Sequence, residues 1–173
     1  MELKIKDPGS ALTHFIAMLT AMVAATPLLI KAASVPGTMH LKALSVFIVS
    51  MILLYAASTV YHTFDISEHV NKILRKIDHM MIFILIAGTY TPVCLIVLGN
   101  KSGYRMLSLV WGIAIVGIII NALWINCPKW FSSVIYIAMG WVCIMRSARS
   151  LPLSHLPLSH GFSPAASSIP SAV

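Results

Sequence analysis

Five long apolar runs joined by short polar connections leave this chain few ways to fold. They span about residues 11–33, 41–61, 78–98, 105–125 and 130–145. A hydrocarbon core roughly 30 Å thick is crossed by about 20 consecutive apolar residues, and the first four runs meet that length while the fifth lies at its low end. In lipid, every backbone N–H and C=O must be bonded within the protein, which a helix achieves within its own segment. The composition agrees: 58% of the 173 residues are hydrophobic, 10% are charged, and the mean hydropathy is +0.89. Those values exclude a soluble globular domain. The expected fold class is an all-α integral membrane protein, a helical bundle with about five transmembrane helices over residues 1–145, surrounded by the lipid bilayer.

Twelve Lys and Arg against five Asp and Glu give a formal net charge of +7. The cations are scattered through short loops between apolar runs, the pattern of a polytopic membrane protein. No Arg-rich helix, RNP-like pattern or zinc-finger spacing points to nucleic acid. Cys94, Cys127 and Cys143 are far apart and form no C-x-x-C, so neither a redox motif nor a disulfide framework is indicated.

Along the chain, Asp7-Pro8-Gly9-Ser10 reads as a turn and a helix start. The small residues of Ala21–Ala25 permit a signal-peptide reading, but the run stays apolar to Ile30 and further spans follow, so a retained helix is expected. Ile66, Val70, Ile73, Leu74 and Ile77 fall at helical spacing beside Lys72, Arg75 and Lys76, which predicts a short amphipathic surface helix over 63–77. Gly88-Thr89-Tyr90-Thr91-Pro92 reads as close helix packing with a Pro kink. Trp111, Trp124, Trp130 and Tyr136 are placed near span ends as interfacial aromatics. Beyond residue 145 the periodicity stops. The segment 146–173 is rich in Ser and Pro, repeats Leu-Pro-Leu-Ser-His at 151–155 and 156–160, and is expected to be disordered. His155 and His160 do not share a helical face, which argues against a metal pair there.

Ser58-Thr59-Val60-Tyr61-His62 closes the second run, and Asp78-His79 opens the third. Ser58 and His62 are spaced i, i+4 and share a helical face. Antiparallel neighbours bring the end of one helix and the start of the next to the same membrane surface, so His62 and Asp78 are expected to face each other. For a single polar residue, a backbone hydrogen bond or an N-cap is the plainer reading. For Ser, His and Asp converging on one surface, a functional site is expected. His79 lies about 100° round the helix from Asp78, so those two are expected to point apart.

These segments carry a family resemblance. Ser58–Phe64, Lys76–Pro92 (KIDHMMIFILIAGTYTP) and Ala138–Trp141 (AMGW), with the early Pro8…Thr13-His14, resemble the haemolysin III family over about residues 5–145. That family belongs with the progestin and adiponectin receptors in a superfamily of seven-helix membrane proteins. The resemblance implies a multi-pass protein of the plasma membrane with a cytoplasmic N-terminus and a zinc ion near the cytoplasmic surface. It implies His62 as a zinc ligand, Asp78 as the catalytic residue holding a zinc-bound water, and Ser58 as a supporting catalytic group. The family's two further His ligands, an H-x-x-x-H pair on a seventh helix, have no counterpart here, and a catalytic zinc site normally keeps three protein ligands plus water. Zinc is therefore expected to bind weakly or not at all. The C-terminus reads as truncated or altered, through a shifted reading frame or a truncated gene.

Three functions stand open. Cytolysis by pore formation is the role the family name implies. It needs oligomerisation, with a second copy of the chain as the expected partner, and no helix shows a continuous polar stripe. A zinc-dependent membrane hydrolase of lipid amides is the alternative, with zinc lowering the pKa of a bound water and Asp78 taking its proton. The third is a non-catalytic truncated remnant, so whether the chain is an enzyme is left open. Lys and Arg divide six against six between the two membrane sides, or six against four without the tail arginines, a weak preference for a cytoplasmic N-terminus.

Overall fold

The computed structural model describes residues 5–124 and 129–150, and in the last helix the side chains of Trp130 and Ser132–Val142. The described chain is helical and runs up and down: α1 Pro8–Ala33, α2 Met39–Thr63, α3 Glu68–Pro92, α4 Lys101–Leu123 and α5 Lys129–Ser150. The start of α1 follows from Asp7, whose carboxylate accepts from the Ser10 N–H, and from Pro8, which lacks only an N–H that the first turn leaves unpaired anyway. Gly37, at φ +88°, turns the chain toward α2. Ser67 caps α3 by accepting the Val70 N–H, and Glu68 lies in the first turn, where the helix field favours an anion.

The segment 63–77 does not form a separate surface helix. Residues 68–77 are the opening turns of α3, which continues into the third apolar run. No Gly or Pro stands between Glu68 and Ala87, and extending a helix adds one bond per residue without a new nucleation step. The interruption comes at Pro92, which has no N–H to donate. There the backbone widens into a π-helical stretch, Val93–Leu98, closed by Gly99 at φ +53°, whose N–H donates to the Cys94 carbonyl at 3.2 Å. The expected kink is thus a local widening. Asn100 then caps α4, accepting from the Gly103 N–H at 2.9 Å.

Helices α1, α2, Glu68–Leu98 and α4 are each long and apolar enough to cross a membrane. The 22 residues of α5 give a length of about 33 Å at 1.5 Å per residue, although its described apolar part, Ser132–Val142, is shorter. Val23, Val97 and Leu123 are 75%, 76% and 77% exposed, an outer surface suited to hydrocarbon rather than water. The protein is a helical membrane bundle. Its buried core joins Phe83, Ala87, Tyr90 and Cys94 to Met106, Val110 and Ala114 of α4 and Met139 of α5. The Tyr90 hydroxyl crosses to α5 and donates to the Met139 carbonyl.

The small residues lie where backbones approach. At Gly88 an added Cβ would sit 2.8 Å from Ser50 Cβ on α2, and at Gly117 it would sit 2.5 Å from the Phe83 ring. Trp124 and Trp130 are exposed at helix ends, as interfacial aromatics should be. Trp111 is not at a span end. It lies in the middle of α4, half-buried, with its indole N–H donating to Thr91 Oγ1 at 3.2 Å. Tyr136 is likewise engaged within the bundle, its hydroxyl donating to the His79 carbonyl at 2.8 Å. The turn at Cys127-Pro128 and the tail 151–173 lie outside the described residues, while α5 itself reaches Ser150.

Candidate functional site

The site forms where the chain enters the bundle. The carbonyls at the end of α2 have no partners within their own helix. The entering segment supplies them: the Asp7 N–H donates to the His62 carbonyl at 2.9 Å and the Lys6 N–H to the Thr63 carbonyl at 3.4 Å. Lys6 Nζ rests 3.9 Å from the Tyr61 ring centroid, a cation over an aromatic face. The N-terminal end of α1 is thereby fixed against the C-terminal end of α2.

Ser58 and His62 do share a face, and that face packs on α1. His14 Nδ1 lies 2.6 Å from Ser58 Oγ, and His62 Nδ1 lies 3.4 Å from Asp7 Oδ2. The His14 and His62 rings meet edge to face, with centroids 5.5 Å apart. Asp7 also accepts from the Ser10 hydroxyl at 2.6 Å. Thr59 and Thr63 on the same helix instead donate back to carbonyls one turn earlier, as structural hydroxyls do. The result is a polar row, Asp7–His62–His14–Ser58. It runs from a half-exposed carboxylate (49%) to a buried hydroxyl (5%).

Each of the two pairs can share a proton, Asp7 with His62 and Ser58 with His14, while the two imidazoles meet only edge to face. A carboxylate beside one imidazole and a hydroxyl beside another are the pairings used for proton transfer in bundles. The Asp7 carboxyl is held below its ordinary value, first by the Ser10 hydroxyl and N–H and then by the His62 imidazole. On the outer side of the same helix pair lies an apolar groove of about 550 Å³ lined by Pro8, Leu12, Phe15, Val60 and Phe64.

Asp78 stands apart from this row. Where Gly88 meets Ser50, twelve residues lead down α2 to His62 and ten lead down α3 to Asp78, about 18 and 15 Å, so the expected similar depth is real. The expected His62–Asp78 contact is not made, and among the described residues no ion pair joins them. His62 is turned toward α1 and engaged by Asp7. Asp78 pairs instead with His79, whose Nδ1 lies 3.7 Å from its Oδ2. The expectation that these two point apart is corrected. The His79 ring folds back one turn, with Nδ1 2.8 Å from the Arg75 carbonyl, and this brings it over Asp78. Nearby, Lys76 Nζ donates to the Ala122 carbonyl at the end of α4.

Asp7, Ser10 and His14 recur at i, i+3 and i+7, one helical face. That spacing was the available signal for the α1 half of the row, but an Asp before a Pro is first read as a cap. Zinc requires several converging donors. Among the described residues, no group of three or more His, Cys, Asp and Glu side chains is arranged to hold a metal ion. The residues present do not fit zinc, and no chemical step is derived through it.

A family model described as "Haemolysin-III related" matches residues 3–160, past the end of the fifth apolar run. A Bacillus cereus protein named Hemolysin-3 is 36% identical over 158 residues, covering 91% of this chain and 70% of that protein. A Bacillus subtilis (strain 168) protein named Hemolysin-3 homolog is 36% identical over 140 residues, covering 81% of this chain and 65% of that protein. The chain therefore spans about two thirds of the length of these relatives. No solved structure matches it.

Proposed function

Because the chain belongs to the haemolysin-III-related family, we propose that it is a cytolytic protein that permeabilises lipid bilayers from a site in the plasma membrane. The observation that carries this reading is the 36% identity with the protein named Hemolysin-3, over 91% of the chain. The exposed apolar faces of α1, α2 and α4 support residence in a bilayer. Among the described residues the buried polar side chains are Ser50, Ser58, Thr91, Asn121 and Ser132. They are dispersed over four helices rather than aligned as a lumen, so permeabilisation is assigned to a homo-oligomer. The N-terminus, with the polar row, is assigned to the cytoplasmic side.

Dye release tests this directly. The full chain, added at rising protein-to-lipid ratio to vesicles holding a self-quenched dye, is expected to release it with a steeper than linear dependence on that ratio. Intact vesicles at ratios where a known pore former empties them would overturn the proposal. A metal chelator is expected to leave release unchanged, because the donors around His62 do not make a zinc site. Release that disappears with chelator and returns with zinc would instead favour a zinc-dependent hydrolase of lipid amides acting through His62, Asp78 and Ser58.

A further inference from the structure

The charges of this bundle are not distributed alike at its two ends. The described carboxylate side chains, Asp7, Asp65, Glu68 and Asp78, all belong to the half at which α1 begins. Several groups there are already satisfied: Asp7 by Ser10 and His62, Asp65 by Asn71, Lys6 by the Tyr61 ring and Lys76 by the Ala122 carbonyl. The opposite end is built from the end of α1, the start of α2, the Val93–Leu98 stretch, the start of α4 and the end of α5. It carries Lys31, Lys42, Lys101 and Arg105, with no Asp or Glu among the described residues. All four cations are exposed, and no side-chain hydrogen bond or ion pair joins any of them to a described residue.

Local helix energetics account for Lys31, in the last turn of α1, but not for the cations that open α2 and α4. Lys42 and Lys101 lie in the first turns of α2 and α4, where the helix's own field disfavours a cation. Tyr104, 46% exposed between Lys101 and Arg105, marks the level at which amphipathic rings sit among lipid headgroups. We infer that this carboxylate-free end binds the phosphate headgroups of anionic phospholipids in the leaflet it meets. Arg105 offers a planar donor fork suited to phosphate oxygens, and the three lysines add charge around it. The inference rests on the membrane-spanning fold and not on cytolysis, and it holds for either orientation of the bundle.

The test is lipid retention. The full chain is reconstituted in vesicles of equal phosphatidylglycerol and phosphatidylcholine and re-extracted in mild detergent, and the bound phospholipids are counted by mass spectrometry. Phosphatidylglycerol is expected to be enriched, and the enrichment should fall as salt shortens the screening length to about 3 Å at 1 M. Each cation near an anionic surface is expected to contribute up to about a fivefold preference. The variant Lys31→Gln/Lys42→Gln/Lys101→Gln/Arg105→Gln should therefore lose most of the enrichment, while Lys72→Gln/Arg75→Gln, at the opposite end, should keep it. If the fourfold variant loses helicity, the four single variants carry the same comparison, each lowering enrichment by up to about fivefold. Equal retention of the two lipids by the unaltered chain, or enrichment that survives these substitutions and falls in the Lys72/Arg75 variant, would overturn the inference.

Discussion

Replacing Gly88 with Ala is expected to wedge α2 and α3 apart. A Cβ at that position lies 2.8 Å from Ser50 Cβ and nearer still to Ser50 Oγ, whereas ordinary contact begins at 3.4 Å. The backbones must separate by at least about 0.6 Å, which a close-packed interior absorbs poorly. Rotating Ser50 does not relieve the clash. Its Oγ, now donating to the Phe47 carbonyl at 2.7 Å, can move, but its Cβ is fixed by the α2 backbone. Overpacking of this kind costs about 1–3 kcal/mol. At about 2–4 °C per kcal/mol for a chain of this size, the melting temperature should fall by roughly 2–12 °C. The assay is thermal unfolding in detergent, followed by helical circular dichroism. The second substitution is diagnostic. Ser50→Gly/Gly88→Ala moves the methyl-sized group from α2 to α3 and should recover most of the loss. Ser50→Ala/Gly88→Ala keeps the two Cβ atoms in conflict and should recover little. A Gly88→Ala protein that melts like the parent, or rescue by Ala equal to rescue by Gly, would refute the reasoning.

Other expectations follow from the polar row and the core. The Asp7 carboxyl is lowered on folding from an ordinary value of 3.8. Its contribution to stability is therefore full above that value and is lost as pH falls through the lowered folded value. Asp7→Asn should flatten the acid limb of stability below about pH 4, and identical limbs in the two proteins would remove Asp7 from this role. A double-mutant cycle of His14→Ala and Ser58→Ala should return a coupling of about 0.5–1.5 kcal/mol, the usual net value of a hydrogen bond, whereas additivity would deny the contact. Gly117→Ala should destabilise by driving a methyl into the Phe83 ring, and Phe83→Leu should partly relieve it in the double variant, read from melting temperatures. Tyr90→Phe removes the hydroxyl that reaches the α5 backbone and should lower stability by about 0.5–1.5 kcal/mol, visible in detergent unfolding.

Much of the bundle was legible because the signal is additive along the chain. An unbroken apolar run reports a span whatever its neighbours are, so the runs at 11–33, 41–61, 78–98 and 105–125 appear as α1, α2, the Glu68–Leu98 helix and α4. The i, i+4 pairing of Ser58 and His62 was equally secure, because helix geometry alone puts them on one face. The amphipathic stretch before Asp78 was misread for a related reason. Its change of polarity marks the membrane surface, and polarity need not interrupt a helix when no Gly or Pro does. Trp111 was misplaced because amphipathic aromatics serve equally at an interface or against a buried hydroxyl, here that of Thr91.

The sequence by itself determined the helical membrane bundle, the family and the depth at which His62 and Asp78 lie. The bundle and the shared depth follow from composition, run length and residue spacing, and the family from the resemblance of Ser58–Phe64 and Lys76–Pro92 to its motifs. Only the tertiary structure decided which groups meet. His62 turns to Asp7 and Ser58 to His14 because their shared face packs on α1, and Asp78 turns to His79 because that ring folds back on Arg75. The placing of Lys31, Lys42, Lys101 and Arg105 at one end was, by contrast, already legible, because alternate loops of successive spans fall on the same side. Helix-to-helix contacts depend on the rotation of each helix about its axis. That rotation is set by packing such as Gly88 on Ser50 and Gly117 on Phe83, which no single segment encodes.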